Sequence, residues 1–276
     1  MNDSDFILKW TEDLKQEIDV ISYQEDDIRK DYFGLTYDVA YCFYRGFILM
    51  DISKYIDSGQ VLFKKDIFDF KTHVDSIVEL NRIALLNTGY YNGLIRNFMI
   101  DCWSVFELCV TTLCEGICSL EERENLLNFQ SKDVLKQLKK STLDENDRVK
   151  LIARLKKAHL THVPITRKTA FLFNKTKGYS RNLDNDKAFL SFLGKFRNTL
   201  HTNFIYYGND YDFNFGNANF KFENTKMVKW TDPFSKSKRS PKLYFYIIGQ
   251  LKEIWKEVIK TVKHDATIYY PDNEQT

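Results

Sequence analysis

The ten residues KFRNTLHTNF, at positions 195–204, combine a cation and a titratable base within one helical turn. Arg197 stays charged at neutral pH, and its planar guanidinium can hold phosphate oxygens. His201 titrates near neutral pH and can accept or donate a proton. Together they suit metal-free cleavage of RNA, in which a 2′-hydroxyl attacks the adjacent phosphate while arginine stabilises the developing charge.

The helix that must position this pair is predicted by apolar periodicity. One stripe on its surface is formed by Phe189, Phe192, Leu193, Phe196 and Leu200. Arg197 and His201 are i,i+4 neighbours on one shoulder of that stripe, at the rim of a cleft, and Asn198 points away from it. We expect Asp184 or Asn185 near the N-cap and Asn203 at the C-cap.

The rest of the chain predicts a mainly α protein, a helical bundle with a small β-hairpin between the last two helices. The 276 residues include only 4 Pro and 11 Gly, and 43% are hydrophobic. Apolar periodicity predicts helices over residues 5–20, 26–55 with a break near Gly46, 75–90 and 92–118. Alternation of phenylalanine with polar residues around Gly216 and Asn217 predicts the hairpin. We expect a single domain over residues 1–276, with a basic elaboration at about 120–182.

Positive charge is concentrated in two stretches. Residues 146–181 hold ten bases against one acid, and residues 226–242 hold six against one. A polyanion such as the RNA backbone fits the first stretch, although a solvated helix face fits it too. The residues predicted to contact RNA are Lys156, Lys157, Arg167, Lys168, Lys175, Lys177 and Arg181. Tyr206 and Tyr207, just after the motif, are predicted to stack on unpaired bases.

Neither a membrane span nor a cofactor is expected. The N-terminus is acidic and lacks an apolar signal region, and no window of about 18 residues is free of charge. A cytoplasmic protein follows by elimination. Four of the five cysteines fall in residues 102–118, which suits reduced, buried thiols. No Cys and His set has zinc spacing, so no metal is predicted.

The stretch FRNTLHTN, near the end of a helix in a helical chain, resembles the signature of the HEPN superfamily. The resemblance implies a helical bundle and a metal-independent endoribonuclease that acts as a toxin or in antiviral defence. It implies a homodimer, and an antitoxin or defence-system protein as a further partner. Arg197 would bind phosphate, Asn198 would give polar support and His201 would act as acid and base. Glu107, in SVFELCVTTL, resembles the acidic residue that the family carries on an earlier core helix.

The motif has three residues between arginine and histidine, where the family usually has four to six. Three other interpretations of it therefore stay open. His201 could be a cation at the negative end of a helix dipole, with Arg197 paired to an acid. The bundle could be a catalytically inactive module that binds a partner protein, a nucleotide or RNA. A toxin with a target other than RNA is the third. A nuclease needs both Arg197 and His201 open to solvent, whereas a module tolerates their burial.

Overall fold

The computed structural model describes residues 2–58, 60, 89–119, 121–127, 137–138, 144–156, 160, 163–234 and 240–269. Within the helices, the side chains of residues 51, 53, 54, 56, 57 and 154–156 lie outside this description. Of the predicted helix over 75–90, residues 75–88 also lie outside the described residues, and Gly89 begins the next described helix.

The fold is mainly α, a helical bundle with a small antiparallel sheet between the last two helices, as predicted. A further helical segment covers residues 121–127. The named helices are α1 (Asp3–Val20), α2 (Ile28–Asp57), α3 (Gly89–Ile117), α4 (Glu145–Lys156), α5 (Ile165–Lys175), α6 (Leu183–His201) and α7 (Lys242–Thr261).

The predicted break near Gly46 is wrong, because α2 continues without interruption through that residue. Gly46 instead allows close packing between helices α2 and α3. A Cβ atom at this position would lie 2.8 Å from Cδ2 of Leu94, which is tighter than real Cβ contacts allow. The glycine therefore marks a helix contact and not a helix end.

The predicted hairpin is present and gains a short third strand. Strands β1 (Tyr211–Phe215), β2 (Ala218–Phe222) and β3 (Lys229–Trp230) pair antiparallel in that order. The turn between β1 and β2 requires a positive φ at Gly216, which glycine adopts at no steric cost. Alternate residues of β2 are buried and exposed, so one face of the sheet packs inward while the other meets solvent.

The chain divides into two compact units. The first comprises Met1–Ile21, Phe33–Ser104 and Phe192–Lys252, and the second comprises Ser22–Tyr32, Val105–Ser191 and Glu253–Thr276. Aromatic pairs build both cores. In the first, the ring centroids of Phe98 and Phe245 lie 4.5 Å apart. In the second, those of Tyr32 and Trp255 lie 5.2 Å apart.

Helix α3 is the one helix in the described part of the chain that is long and apolar enough to cross a membrane. Most of its apolar window is buried inside the protein, which is the behaviour of a core helix. Trp103, Cys109 and Leu113 are all almost fully buried. Its apolar composition is thus accounted for by packing.

Candidate active site

Helix α6 presents the predicted motif, and its start and its buried face explain why. The side chain of Asn182 accepts a 2.9 Å hydrogen bond from the backbone N–H of Asn185, so Asn182 is the N-cap. The predicted caps are therefore displaced: Asp184 lies in the first turn, where its charge favours the helix dipole. The predicted stripe is buried along its length, at Phe189, Phe192, Leu193, Phe196 and Leu200.

The sheet anchors this buried face of α6. The ring of Phe192 stacks on Phe213 of β1 with centroids 4.3 Å apart, and it lies 4.8 Å from Phe220 of β2. Phe196 meets Phe220 edge to face at 5.4 Å. Because these rings fix the rotation of the helix, the opposite shoulder, which carries the motif, is turned away from the core.

Helix α6 ends directly after the motif. The N–H of Phe204 donates to the carbonyl of Thr199 at 2.6 Å, which closes the helix end in a Schellman-type arrangement. Asn203 has a φ of 53°, the left-handed conformation expected of a residue that terminates a helix. Phe204 has a φ of 67°, which is uncommon for a bulky residue. His201 is consequently the last residue of the helix.

Arg197, Asn198 and His201 all reach the surface to different degrees. His201 and Asn198 are exposed, and Arg197 is half-buried. Residues at i and i+4 on a helix have Cβ atoms about 6 Å apart, so the guanidinium and imidazole can reach one phosphate group. Nη1 of Arg197 donates to Oδ1 of Asn198 at 3.3 Å. That contact holds the guanidinium beside the helix.

The Nε atom of Arg197 is buried and has no hydrogen-bond partner in the described structure. A buried donor without a partner costs about 1–3 kcal/mol, and such atoms are rare in folded proteins. A helix-end arginine with a purely structural role would normally pair with an acid. No ion pair of Arg197 is found among the described residues.

Glu107 belongs to the second unit, whereas the motif belongs to the first. Glu107 interacts electrostatically with Lys168, and its backbone carbonyl accepts a hydrogen bond from Oγ1 of Thr111. Burial lowers the pKa of the Lys168 ammonium, and the negative charge of Glu107 is among those that oppose this shift. Support of the motif by Glu107 stays a prediction.

The basic segment differs most from its sequence-based interpretation. Lys168 is 3% exposed, and its Nζ donates to Oγ1 of Thr111 at 2.6 Å. It is a core residue and cannot contact RNA at the surface, so that assignment is corrected. The long aliphatic stem and a single hydroxyl partner explain how a lysine is accommodated there.

Other cations of this segment are engaged in internal contacts. Arg181 holds the buried Asp186 through two hydrogen bonds, of 2.9 and 3.0 Å. Lys175 forms a 2.5 Å ion pair with Glu122. Arg167 is half-buried and donates to the carbonyl of Asn125 at 3.4 Å.

Of the other three lysines predicted to contact RNA in this segment, one is described with its side chain. Lys177 is exposed. The side chain of Lys156, and all of Lys157, lie outside the described residues. The segment therefore offers RNA fewer cations than its sequence indicates.

Neighbouring residues on the first unit were not singled out by the sequence analysis. Lys221, Lys226 and Lys229 surround the carboxylate of Glu223 beside the end of α6. The signal for them was the second basic stretch and the exposed positions of the predicted hairpin. Tyr206 is buried against Phe222, so of the two predicted stacking tyrosines only Tyr207 is exposed.

Among the residues that the structure describes, no three His, Cys, Asp or Glu side chains lie close enough to hold a metal ion. The five cysteines are present as thiols, and burial raises the pKa of Cys114. The chain matches no protein-family model, and neither a curated protein nor a solved structure is significantly similar to it.

Proposed function

We propose that this protein is a HEPN-like, metal-independent endoribonuclease of the cytoplasm, a toxin or a component of antiviral defence. The observation that carries the proposal is the access of solvent to both Arg197 and His201, one turn apart at the end of α6. A nuclease requires this access, whereas a helix end with a structural role does not.

The reaction uses the chemistry of these two side chains. The imidazole of His201 accepts the proton of a 2′-hydroxyl, whose oxygen then bonds to the adjacent phosphorus. Negative charge that develops on the non-bridging oxygens meets the guanidinium of Arg197. The bond from phosphorus to the 5′-oxygen breaks, and that oxygen takes up a proton. The products are a 2′,3′-cyclic phosphate and a 5′-hydroxyl end.

Asn198 acts as a positioning residue. Its side-chain oxygen accepts a hydrogen bond from Nη1 of Arg197, which holds the guanidinium in place and leaves Nη2 to bind the phosphate. In the homodimer that belongs to this proposal, two motifs line one cleft. The imidazole of the second copy then supplies the proton for the leaving 5′-oxygen. An antitoxin or defence-system protein that covers this cleft would hold the enzyme inactive.

The test is cleavage of a labelled single-stranded RNA by purified protein in EDTA. Wild type is expected to cut and to leave 2′,3′-cyclic phosphate ends. His201→Ala should lower the rate by about 10²–10⁴-fold, the usual contribution of a general acid or base. The matched control is His264→Ala, which removes a histidine from the second unit and should cut like wild type.

Equal cleavage by His201→Ala and wild type would contradict the proposal, as would dependence of the activity on a divalent metal. If neither protein cuts, and both remain folded and dimeric, the alternative is a catalytically inactive module that binds RNA, a nucleotide or a partner protein. The spacing of three residues between Arg197 and His201 is the observation that favours that alternative.

A further inference from the structure

Three lysines share one carboxylate on the exposed side of the sheet. Nζ of Lys221 lies 3.6 Å from Oε1 of Glu223, and Nζ of Lys226 and Lys229 lie 3.5 and 3.9 Å from its Oε2. The lysine side chains are 52–73% exposed and the glutamate 23%. We call Lys221, Lys226 and Lys229 the lysine cluster. More than half of each lysine side chain is exposed, so the three ammonium groups remain open to an anion from solvent.

The register of the sheet makes this arrangement unfavourable for folding. Lys221 lies directly opposite Lys229 in the pairing of β2 with β3. Like charges directly opposite each other destabilise a sheet. Asp212 lies opposite Lys221 on the other side, in β1, and the carboxylate of Asp210 accepts a hydrogen bond from the N–H of Asn224, so acids border the lysines on this face as well. A protein that retains an unfavourable local arrangement often does so at a binding surface.

Backbone hydrogen bonds hold the cluster beside the motif. The N–H of Tyr206 donates to the carbonyl of Lys226 at 2.9 Å, and the N–H of Val228 donates to the carbonyl of Phe204 at 2.8 Å. Tyr206 follows His201 by only five residues, a span of at most about 18 Å. At a rise of roughly 3.4 Å per nucleotide, about five stacked nucleotides cover that distance.

The junction between the cluster and the helix end is backbone-strained. Phe204 and Thr225 both have positive φ angles, of 67° and 61°, although neither is a glycine. The N–H of Thr225 donates to the carbonyl of Tyr206 at 2.8 Å. Such conformations persist only where the surrounding structure fixes them, and they concentrate at functional sites. The lysine loop is thus firmly fixed to the end of the motif helix.

An exposed aromatic ring completes the surface. Tyr207 is 66% exposed. It lies between Tyr206, which is bonded to Lys226, and Gly208, whose N–H donates to Oδ1 of Asn224 at 3.2 Å. Both contacts place the backbone of Tyr207 beside the loop between β2 and β3, which carries Lys226. Cations that follow a backbone, together with an aromatic ring that stacks on bases, are the two parts of a single-strand binding surface.

We propose that the lysine cluster and Tyr207 form the docking surface for single-stranded RNA, which leads the strand to Arg197 and His201. This inference rests on the proposed function, because it takes RNA as the ligand. It assigns the binding role to β2, β3 and the loop between them, in place of the 146–181 segment, where Lys168 is buried and Lys175 and Arg181 are paired with acids. The lysines contact phosphates, and Tyr207 stacks on an unpaired base.

The test measures binding without cleavage. The probe is a fluorescent 20-nucleotide RNA with 2′-O-methyl riboses, which lacks the attacking hydroxyl, titrated by anisotropy between 50 and 200 mM salt. The triple variant Lys221→Gln, Lys226→Gln, Lys229→Gln is compared with Lys9→Gln, Lys15→Gln, Lys187→Gln. Both remove three exposed lysines, and only the first removes the cluster.

The cluster variant should bind roughly tenfold or more weakly at 50 mM salt. Its slope of log affinity against log salt should fall by about 2, since each phosphate contact to a single strand contributes about 0.7. The control variant should keep the wild-type slope. Tyr207→Ala should weaken binding by about fivefold or more without a change in slope, because stacking releases no counterions.

Equal binding and slope in the two triple variants would overturn the inference. An acidic peptide or anionic vesicles that bind as tightly as RNA, with the same loss in the cluster variant, would also overturn it. If the cluster variant shows a lowered Tm, the single variant Lys229→Gln decides, with an expected slope change of about 0.7.

The two proposals fail separately. If the cluster variant loses binding while wild type never cuts RNA in EDTA, the docking surface stands and the nuclease does not. If wild type cuts and the cluster variant binds normally, the nuclease stands and the docking surface does not.

Discussion

Arg29 and Arg197 both have a buried Nε atom, and they differ in the hydrogen-bond partner of that atom. Nε of Arg29 donates to Oδ1 of Asp27 at 2.9 Å, and its other nitrogens bind Asp27 and the carbonyls of His264 and Ala266. Nε of Arg197 has no partner in the described structure, and Nη1 reaches only Asn198. The guanidinium of Arg29 ties the C-terminal segment to the start of α2, whereas that of Arg197 has no acidic partner among the described residues.

The lysines of the two units show the same contrast. Lys168 in the second unit is buried on a hydroxyl of α3, and Lys175 is paired with Glu122. Lys226 and Lys229 in the first unit share one glutamate and are mostly exposed. A count of charges in the sequence favours the second unit, yet several of its described cations are buried or paired, and Lys177 is among those that stay exposed. Contacts, and not composition, determine which cations can bind a polyanion.

The largest expected effect is on stability, from Arg29→Met. The substitution leaves Asp27 buried without its partner, so the free energy of unfolding should fall by about 3–5 kcal/mol. Urea denaturation followed by circular dichroism measures it. The double variant Asp27→Asn, Arg29→Met should recover much of the loss, because it removes the buried charge as well. A loss of less than about 1 kcal/mol for the single variant would mean that the clasp is not needed.

Arg197→Met should lower activity and not stability, the reverse of what is expected for Arg29→Met. The rate of RNA cleavage should fall by about 10²–10³-fold, since the guanidinium stabilises the transition state. The free energy of unfolding should not fall, and should rise by about 1 kcal/mol, because a buried donor without a partner is removed. Arg197→Lys is the companion variant, which keeps the charge and loses the planar fork. A clear loss of stability in Arg197→Met would mean that Arg197, like Arg29, stabilises the fold, and would contradict this prediction.

The stability of the second unit should decrease at acid pH through Asp27. Burial raises the pKa of this carboxyl, but the hydrogen bonds and charge of Arg29 outweigh burial and hold the pKa below its usual value. The stabilisation is therefore complete above the unfolded pKa, about 3.9, and is lost as pH falls through the folded value. Urea denaturation from about pH 6 to 2 tests this. In Asp27→Asn this part of the pH dependence should disappear, and an unchanged profile would contradict the assignment.

The smallest effect should come from single surface lysines. Lys175→Gln removes a partly exposed ion pair, so the free energy of unfolding should change by at most about 1 kcal/mol. The salt titration should also show that Lys175→Gln changes the affinity for single-stranded RNA less than Lys229→Gln does. The reverse order would return the RNA-binding role to the 146–181 segment.

Local periodicity determined much of this protein from its sequence. The stripe on α6, the hairpin around Gly216 and the left-handed Asn203 follow from neighbouring residues, because helix, turn and cap preferences act within a few positions. Contacts between residues that are far apart in the sequence could not be predicted from these local patterns. The sequence predicts a helix break at Gly46, because the contact with Leu94, 48 residues further along, has no local signal.

The sequence alone also determined the residues of the motif and their common face on one helix. Only the tertiary structure decided which cations remain available. Lys168 lies 57 residues from Thr111, and Lys175 lies 53 residues from Glu122, so no local pattern indicates that either is engaged. The lysine cluster likewise exists only because β2 pairs with β3 and the loop between them joins the end of α6. Charge is a property of the sequence, whereas its exposure depends on long-range packing.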